Sequence, residues 1–221
     1  KVQKENPIGY EAKLKNAKLS YYKGDFRLAQ EHLDILKQAT TREIANDALD
    51  LSMRIKENIA FDSVGEALKQ YASIELLLYQ NKNEEALKQI ELLKQGRVKG
   101  TSNAASISSP LNDSVQNISN QSILDDVYWL EANIRMRQGE FQKSIGLLEK
   151  IIQDYADDIL ADDAYFLRGE IYERQLSQKD KAMEIYREFL NKYPGSVYAA
   201  EARKRYRMLR GDFNGQEPPQ L

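Results

Sequence analysis

Residues 154–164 read DYADDILADDA, and residues 192–202 read KYPGSVYAAEA. A constant offset of 38 residues relates the two stretches and pairs Tyr155 with Tyr193, Ala161 with Ala199 and Ala164 with Ala202. The same offset pairs Ser144 with Ala182, Leu148 with Tyr186 and Ile151 with Phe189 in the segment before each stretch. Because the similarity runs through a loop as well as a helix, it predicts a repeated structural unit that stacks on its neighbours.

Four segments are predicted to connect two helices each: KGDFRLA at 23–29, QNKNEEA at 80–86, QGEFQKS at 138–144 and SQKDKA at 177–182. Each ends on a small residue where the second helix is expected to cross closest to the first, at ~8–10 Å. These residues are Ala29, Ala86, Ser144 and Ala182. Gly24 and Gly139 are predicted to make the tight reversals. Phe26 and Phe141 are predicted to fill the space between the helices.

These residues resemble the tetratricopeptide repeat, whose pattern is W-x2-L-G-x2-Y…A-x3-F…P. The best match covers residues 164–194, with Gly169, Tyr172, Ala182, Tyr186 and Pro194 in the consensus positions and one extra residue in the turn. Weaker matches cover residues 128–156, 10–41 and 67–95. The resemblance implies an all-α fold, a right-handed solenoid of antiparallel helix pairs with about ten helices in all.

Apolar spacing predicts the helices themselves. One helix precedes the turn at Gly24, one follows it, and one begins near Asn83. The others are expected at roughly 42–60, 64–80, 123–137, 140–154, 161–175, 179–192 and 197–210. The helix at 42–60 has no evident partner, so the alternation of paired helices is expected to slip there.

The predicted organisation has four parts. Residues 1–95 form an amino-terminal helical segment, and residues 96–122 are a Ser- and Asn-rich insertion that is expected to be flexible. Residues 123–211 hold the carboxy-terminal repeats with a capping helix, and residues 212–221 are expected to be a frayed tail. The chain starts at Lys1 without a Met, which predicts an excised or processed piece with further repeats upstream.

Composition excludes several classes of function. Thirty-two basic and 34 acidic residues leave a net charge of −2, so no general field recruits nucleic acid. The chain has no Cys, hence no disulfide and no thiolate site. No apolar run reaches the ~18 residues of a membrane span.

No combination of residues predicts catalysis, a metal site or a cofactor. His32 is the single histidine, and the aspartates between 154 and 163 lack the order of a calcium loop. The cations of ARKRYRMLR, residues 202–210, are predicted to cover the polar face of the capping helix. Ala199, Ala202, Tyr206 and Leu209 are predicted to form its buried stripe.

The resemblance also implies that the first helix of each pair lines a concave surface. The candidate partner-binding residues on that surface are Tyr21, Tyr71, Glu75, Trp129, Asn133, Met136, Ile171 and Arg174. Trp129 is the only tryptophan, and Trp and Arg are frequent anchors in interfaces. The alternative interpretation is that Trp129 packs against the neighbouring helix pair.

The function that follows is a non-catalytic scaffold that binds a peptide or protein partner through the concave face. The alternative is a structural spacer, or an end-cap and dimerisation segment of a longer solenoid. YPGSVYAAEARKRYRML, residues 193–209, is similar to periplasmic and outer-membrane-associated tetratricopeptide proteins of Gram-negative bacteria. That similarity extends to the carboxy-terminal part of long Bacteroidetes proteins, and it implies a role in cell-envelope assembly in the periplasm or at the outer membrane. The cytoplasm is the alternative compartment, because the absence of Cys suits both.

Overall fold

The computed structural model describes residues 7–37, 42–61, 65–95 and 123–212, and these residues form ten helices and no strand. The helices are α1 (Pro7–Tyr22), α2 (Phe26–Leu36), α3 (Arg42–Phe61), α4 (Glu66–Tyr79), α5 (Asn83–Lys94), α6 (Leu124–Arg137), α7 (Phe141–Asp154), α8 (Leu160–Glu170), α9 (Lys179–Lys192) and α10 (Ala199–Arg210). The all-α prediction is confirmed. The predicted insertion at 96–122 and residues 213–221 of the predicted tail lie outside the described residues.

The chain divides into two compact units, Lys1–Leu124 and Asp125–Leu221. In unit 1, α1 pairs with α2 and α4 pairs with α5. Helix α3, which the sequence left without a partner, packs against α2, α1 and α4. The slip in the alternation therefore has a physical origin, because α3 buries its apolar face against three helices.

The turn between α1 and α2 is tight and closely packed. Gly24 has a φ of +76°, and its N–H donates to the carbonyl oxygen of Tyr21 at 2.9 Å. A Cβ at Gly24 would lie 3.0 Å from Cγ of Lys69, and one at Gly65 would lie 3.1 Å from the Phe26 ring. The turn is therefore seated against the start of α4, and this contact sets α4 beside α1.

Unit 2 stacks its helices in chain order, with α7 on α8, α8 on α9 and α9 on α10. The buried hydroxyl of Ser144 donates to the carbonyl oxygen of Ala132 at 2.9 Å and so ties α7 to α6. Gly169 is a close-approach position, because a Cβ there would lie 2.7 Å from the Tyr186 ring. Ala182 and Tyr172 are buried in the same core, Phe141 is partly buried against it, and Pro194 is exposed in the turn after α9.

Helix α8 does not end in regular geometry. Over Ile171–Gln175 it widens into a π-helical turn, in which the N–H of Leu176 donates to the carbonyl oxygen of Ile171 at 3.0 Å. The extra residue that the repeat pattern assigned to the turn is thus accommodated inside the helix. Wide turns of this kind hold one residue more than an α-helical turn and are frequent at functional sites.

The prediction that every cation of residues 202–210 covers the polar face is wrong for Arg205, whose side chain is only 8% exposed. Arg205 forms ion pairs with Glu170 at 2.8 Å, Glu173 at 3.1 Å and Glu201 at 2.9 Å. Its guanidinium also lies 5.4 Å from the Phe166 ring centroid. A buried charge is tolerated when it is paired in this way, so Arg205 joins Ala199 and Ala202 on the inner face of α10.

None of the helices within the described ranges is long and apolar enough to cross a membrane.

Candidate functional site

A groove on unit 2, here called the groove, is lined by Met136, Leu167, Glu170, Ile171, Arg174 and Gln175. Its floor and walls come from α6, α8 and the π-helical turn. The groove has a volume of about 160 Å³, well below the ~300–1,000 Å³ of pockets for drug-sized ligands. It therefore suits a side chain of a larger molecule better than a free small molecule.

The floor of the groove is apolar and fixed. Ile171 is buried at the start of the π-helical turn, and Met136 and Leu167 are partly buried and pack against the same core. Leu167, Ile171 and Arg174 follow at helical spacing, so they face the same side of one helix. An unbranched Met side chain adapts to an irregular ligand surface more easily than a branched one.

The rim of the groove is charged. The Glu170 carboxylate accepts from Arg205 at 2.8 Å and lies 3.4 Å from the Arg174 guanidinium. Arg205 is shared among three glutamates, so Glu170 pairs with both Arg205 and Arg174. The Arg174 side chain is 59% exposed, and a guanidinium carries five N–H donors. Arg174 can therefore bind a further carboxylate.

Three of the predicted partner-binding residues, Met136, Ile171 and Arg174, meet in the groove. Trp129 and Asn133 lie on α6 at i and i+4, with Met136 at i+7, so all three share one side of the helix. Trp129 packs against the core of unit 2 while staying partly exposed, and Asn133 donates from its side-chain amide to the Trp129 carbonyl oxygen at 2.8 Å. Trp129 and Asn133 thus extend the surface of α6 beyond Met136, outside the groove itself.

The other three predicted residues lie in unit 1, and two of them do not offer an accessible surface. Tyr21 and Tyr71 are each 1% exposed, because α1 and α4 pack against each other and bury both rings. Glu75 stays partly exposed, with its carboxylate oxygen 3.3 Å from Nη1 of Arg54. Ile171 in unit 2 is also only 1% exposed, so it supports the groove floor rather than reaching out to a partner.

Tyr21 and Glu75 nevertheless line a cavity of about 220 Å³, here called the acidic cavity. It lies between α1, α3 and α4 and is lined by Lys18, Tyr21, Tyr22, Asp47, Asp50, Leu51, Arg54 and Glu75. Burial raises the pKa of Tyr21 well above its ordinary value, and the nearby Glu75 carboxylate raises it further. Within the described ranges, no cluster of three or more His, Cys, Asp or Glu side chains could hold a metal ion.

Sequence reasoning missed part of both sites. Leu167 shares a helix face with Ile171 and Arg174, and this spacing could have identified it. Glu170 could not be found in this way, because its role depends on Arg205 from another helix. Asp47, Asp50 and Arg54 follow at i, i+3 and i+7 on α3, but this helix had no predicted partner and so no predicted surface.

Comparison with known proteins bears on the groove directly. Residues 163–196 match the tetratricopeptide repeat family, and the match spans most of α8, the π-helical turn, α9 and the turn after it. A search of curated proteins finds no match to the chain. Repeats of this family are generally non-catalytic and serve as scaffolds for protein partners. The match supports a tetratricopeptide repeat at residues 163–196, and five of the six groove residues lie within the matched segment.

Proposed function

We propose that the chain is a non-catalytic scaffold that binds a peptide segment of a partner protein in the groove. The proposal rests on one observation: the groove combines an apolar floor with the exposed Arg174 guanidinium, and most of it lies in the segment that matches a tetratricopeptide repeat. The fitting segment presents an apolar side chain to Met136, Leu167 and Ile171. It presents a carboxylate to Arg174 one or two residues away.

The energetics of the groove favour an anchored peptide over a flat contact. Interfaces draw most of their affinity from a few aromatic, arginine and well-packed apolar residues. The groove offers Arg174 and Met136, and Trp129 lies two turns away on the same side of α6. An apolar anchor gives affinity by burial, and the carboxylate gives direction because a guanidinium binds it in a fork geometry.

The test is a selection from a random displayed peptide library against the whole chain. The enriched peptides are expected to combine an apolar residue with a nearby Asp or Glu. Binding is then measured by the fluorescence of Trp129, the only tryptophan of the chain. Arg174→Glu is expected to weaken binding at least about tenfold, since it replaces an attraction with a repulsion.

The matched control is Arg187→Glu on α9, an exposed arginine of the same unit with an i,i+3 ion pair to Glu184 at 3.6 Å. Binding in this variant should stay within about twofold of wild type. Trp129→Ala should weaken binding while the helical circular dichroism signal is kept. Peptides that bind Arg174→Glu and wild type equally well would place recognition outside the groove.

The alternative function, a spacer or dimerisation segment, requires an exposed apolar face on the first helix around Leu14 and Ala17. Both residues are buried within unit 1, so this face gives the alternative no support. Sedimentation of the chain as a monomer at high concentration would count further against dimerisation.

A role in cell-envelope assembly is part of the proposal and is supported by the similarity of residues 193–209 to bacterial envelope proteins. Fractionation of cells that express the native gene tests it. Recovery with the periplasmic or outer-membrane fraction is expected, and recovery with the cytosolic fraction would contradict it.

A further inference from the structure

We propose that Arg205 is a positioning residue of the groove: through Glu170 it keeps the Arg174 guanidinium available to the carboxylate of a partner segment. The inference rests on the proposed function, because it concerns how the same groove binds. It gives a part in recognition to α10, which lies outside the segment that matches the repeat family. Three observations support it: the contacts of Glu170, the way in which Arg205 is fixed, and the charges on the rim.

Glu170 lies between two guanidinium groups at the rim of the groove. Its oxygen Oε1 is 2.8 Å from Nη2 of Arg205 and 3.4 Å from Nη1 of Arg174. Because Coulomb attraction grows as the distance shrinks, Arg205 competes with Arg174 for this oxygen. Without Arg205, Arg174 is the cation that Glu170 still contacts within the described residues, and the two side chains can close into a bidentate pair.

Arg205 has a fixed position from which to hold Glu170. Its side chain is 8% exposed and lies on the inner face of α10. The guanidinium is held in turn by ion pairs with Glu173 at 3.1 Å and Glu201 at 2.9 Å, and it lies 5.4 Å from the centroid of the Phe166 ring. Because these partners hold the guanidinium in place, they also fix the carboxylate of Glu170.

The charges on the rim explain why the position of Glu170 matters to an anionic partner. Arg205 contacts three glutamates, and Arg174 contacts one of the same three. These groups carry three negative and two positive charges, so they do not form a positive patch. A partner carboxylate is therefore attracted by the N–H donors of the exposed Arg174 rather than by a general field. Those donors are available to it as long as Glu170 remains with Arg205.

A purely structural role for Arg205 is the alternative. In that role, removing Arg205 would lower the stability of unit 2 but would not change how the groove distinguishes a charged ligand from a neutral one. Loss of folded protein lowers the apparent affinities for both ligands by the same factor. The informative quantity is therefore the affinity for an acidic peptide divided by the affinity for its amide analogue, here called the charge ratio.

The test is a titration of the ¹⁵N-labelled whole chain, followed by NMR, with two blocked tripeptides. The probes are acetyl-Leu-Asp-Gly-amide and its neutral analogue acetyl-Leu-Asn-Gly-amide. Both should cause saturable shifts of amides in α8 and the π-helical turn, with millimolar affinity as expected for fragments. The charge ratio of wild type should be about three or more, because the carboxylate forms a charge-assisted pair with Arg174 and the amide does not.

Two substitutions and their combination show whether Arg205 acts through Glu170. Arg205→Gln should lower the charge ratio to near one, because Glu170 then pairs fully with Arg174. Glu170→Gln should raise the ratio about twofold or more, because the competing carboxylate is gone. In the Glu170→Gln background, Arg205→Gln should lower the ratio by a smaller factor than in wild type, since the two side chains are coupled.

Arg203→Gln is the matched control, since it removes one exposed positive charge from the same helix. Its charge ratio should stay within about twofold of wild type. Arg205→Lys should keep a ratio above one, because an ammonium group can still pair with Glu170. Thermal unfolding shows which variants are folded during the titration, and Glu170→Gln and Arg205→Lys keep the test informative if Arg205→Gln does not fold.

Three results would overturn the proposal. The first is an unchanged charge ratio in Arg205→Gln, which would leave Arg205 a structural role. The second is an equal effect of Arg205→Gln in the wild-type and Glu170→Gln backgrounds, which would mean that Arg205 acts by its charge alone. The third is a lower ratio in Glu170→Gln than in wild type. A ratio of one in wild type is a separate failure, because it would contradict carboxylate binding at Arg174 and so the proposed function itself.

Discussion

Tyr21 in unit 1 and Tyr186 in unit 2 are both almost fully buried, but their hydroxyl groups are treated differently. The Tyr186 hydroxyl donates to the Glu173 carboxylate at 2.7 Å, and Arg205 lies against both groups. The Tyr21 hydroxyl makes no hydrogen bond of ordinary geometry in the described residues, and its nearest acidic neighbour is Glu75, which helps burial to raise the pKa of Tyr21. The difference teaches that Tyr186 stabilises its unit through a short hydrogen bond, whereas Tyr21 stabilises its unit mainly through the packing of its ring.

The largest expected effect comes from removing Arg205, which holds the hydrogen-bonded cluster around Tyr186 together. Arg205→Ala should lower the free energy of unfolding by about 2–3 kcal/mol, because three glutamates and the Tyr186 hydroxyl lose their shared partner. The estimate is below the range for fully buried pairs since the glutamates are partly exposed. Urea unfolding measures it. Arg203→Ala on the exposed face should change stability by less than about 0.5 kcal/mol.

The second prediction sharpens the comparison with the same substitution at both tyrosines. Tyr186→Phe should cost about 1–1.5 kcal/mol, because it leaves Glu173 with one hydrogen bond fewer. Tyr21→Phe should cost less, since its hydroxyl makes no hydrogen bond of ordinary geometry and interacts only loosely with the Glu75 carboxylate. Thermal unfolding of the two variants side by side checks this. Equal losses would show that the interaction of Tyr21 with Glu75 is as strong as the hydrogen bond of Tyr186 to Glu173.

The third prediction compares the two glycine turns. Gly24 and Gly139 have φ values of +76° and +77°, a region that other residues rarely adopt. Gly139→Ala should cost about 1 kcal/mol for this backbone strain alone, because nothing lies within 4 Å of its added Cβ. Gly24→Ala should cost slightly more, since Cγ of Lys69 lies 3.0 Å away and must move. A larger loss at Gly139 would contradict this ranking.

The fourth and smallest effect concerns Asp125, a carboxylate in unit 2 whose ionisation is opposed by burial and by acidic neighbours. Burial raises the pKa of Asp125 to about 7, and the Asp126 and Asp158 carboxylates contribute to the rise. Between its usual value of 3.8 and about 7, the unfolded chain releases this proton and the folded chain keeps it. The contribution of Asp125 to stability therefore falls as pH rises through this window and stays low above it.

Asp125→Asn should remove the loss of stability that accompanies ionisation of Asp125, because an amide does not ionise. The variant should be more stable than wild type at pH 8, by on the order of 1 kcal/mol after allowance for partial exposure. The difference should vanish near pH 3. Melting temperatures of both proteins across this pH range check the expectation, and a constant difference at all pH values would rule out titration as its cause.

The fold was predictable from sequence because its signals are local. The small residues at the helix crossings and the apolar spacing act within a few turns of chain, and the offset of 38 residues relates one helix pair to the next along the sequence. They gave ten helices with boundaries close to those of the structure. The family comparison supports the repeat at residues 163–196, the segment where the pattern was best developed.

The sites were less predictable because they depend on contacts between distant residues. Periodicity assigned Tyr21 and Tyr71 to helix faces but could not show that α1 and α4 bury these faces against each other. It assigned Arg205 to a charged run, yet three glutamates from two helices draw that side chain inwards. Whether these side chains are buried or exposed is decided by residues that are distant in sequence and close in the fold.

The π-helical turn at Ile171–Gln175 has a consequence for how this surface could change during evolution. A helix that holds one surplus residue can lose it without losing its ends, because the chain then relaxes to regular α geometry. Residues on both sides of the turn would then keep their places, whereas those inside it would shift around the helix by up to about 100°. Deleting one residue there would change which side chain faces Met136 in place of Arg174 or Gln175, so the loss or gain of a single codon could reshape the groove while the two helix ends stay folded.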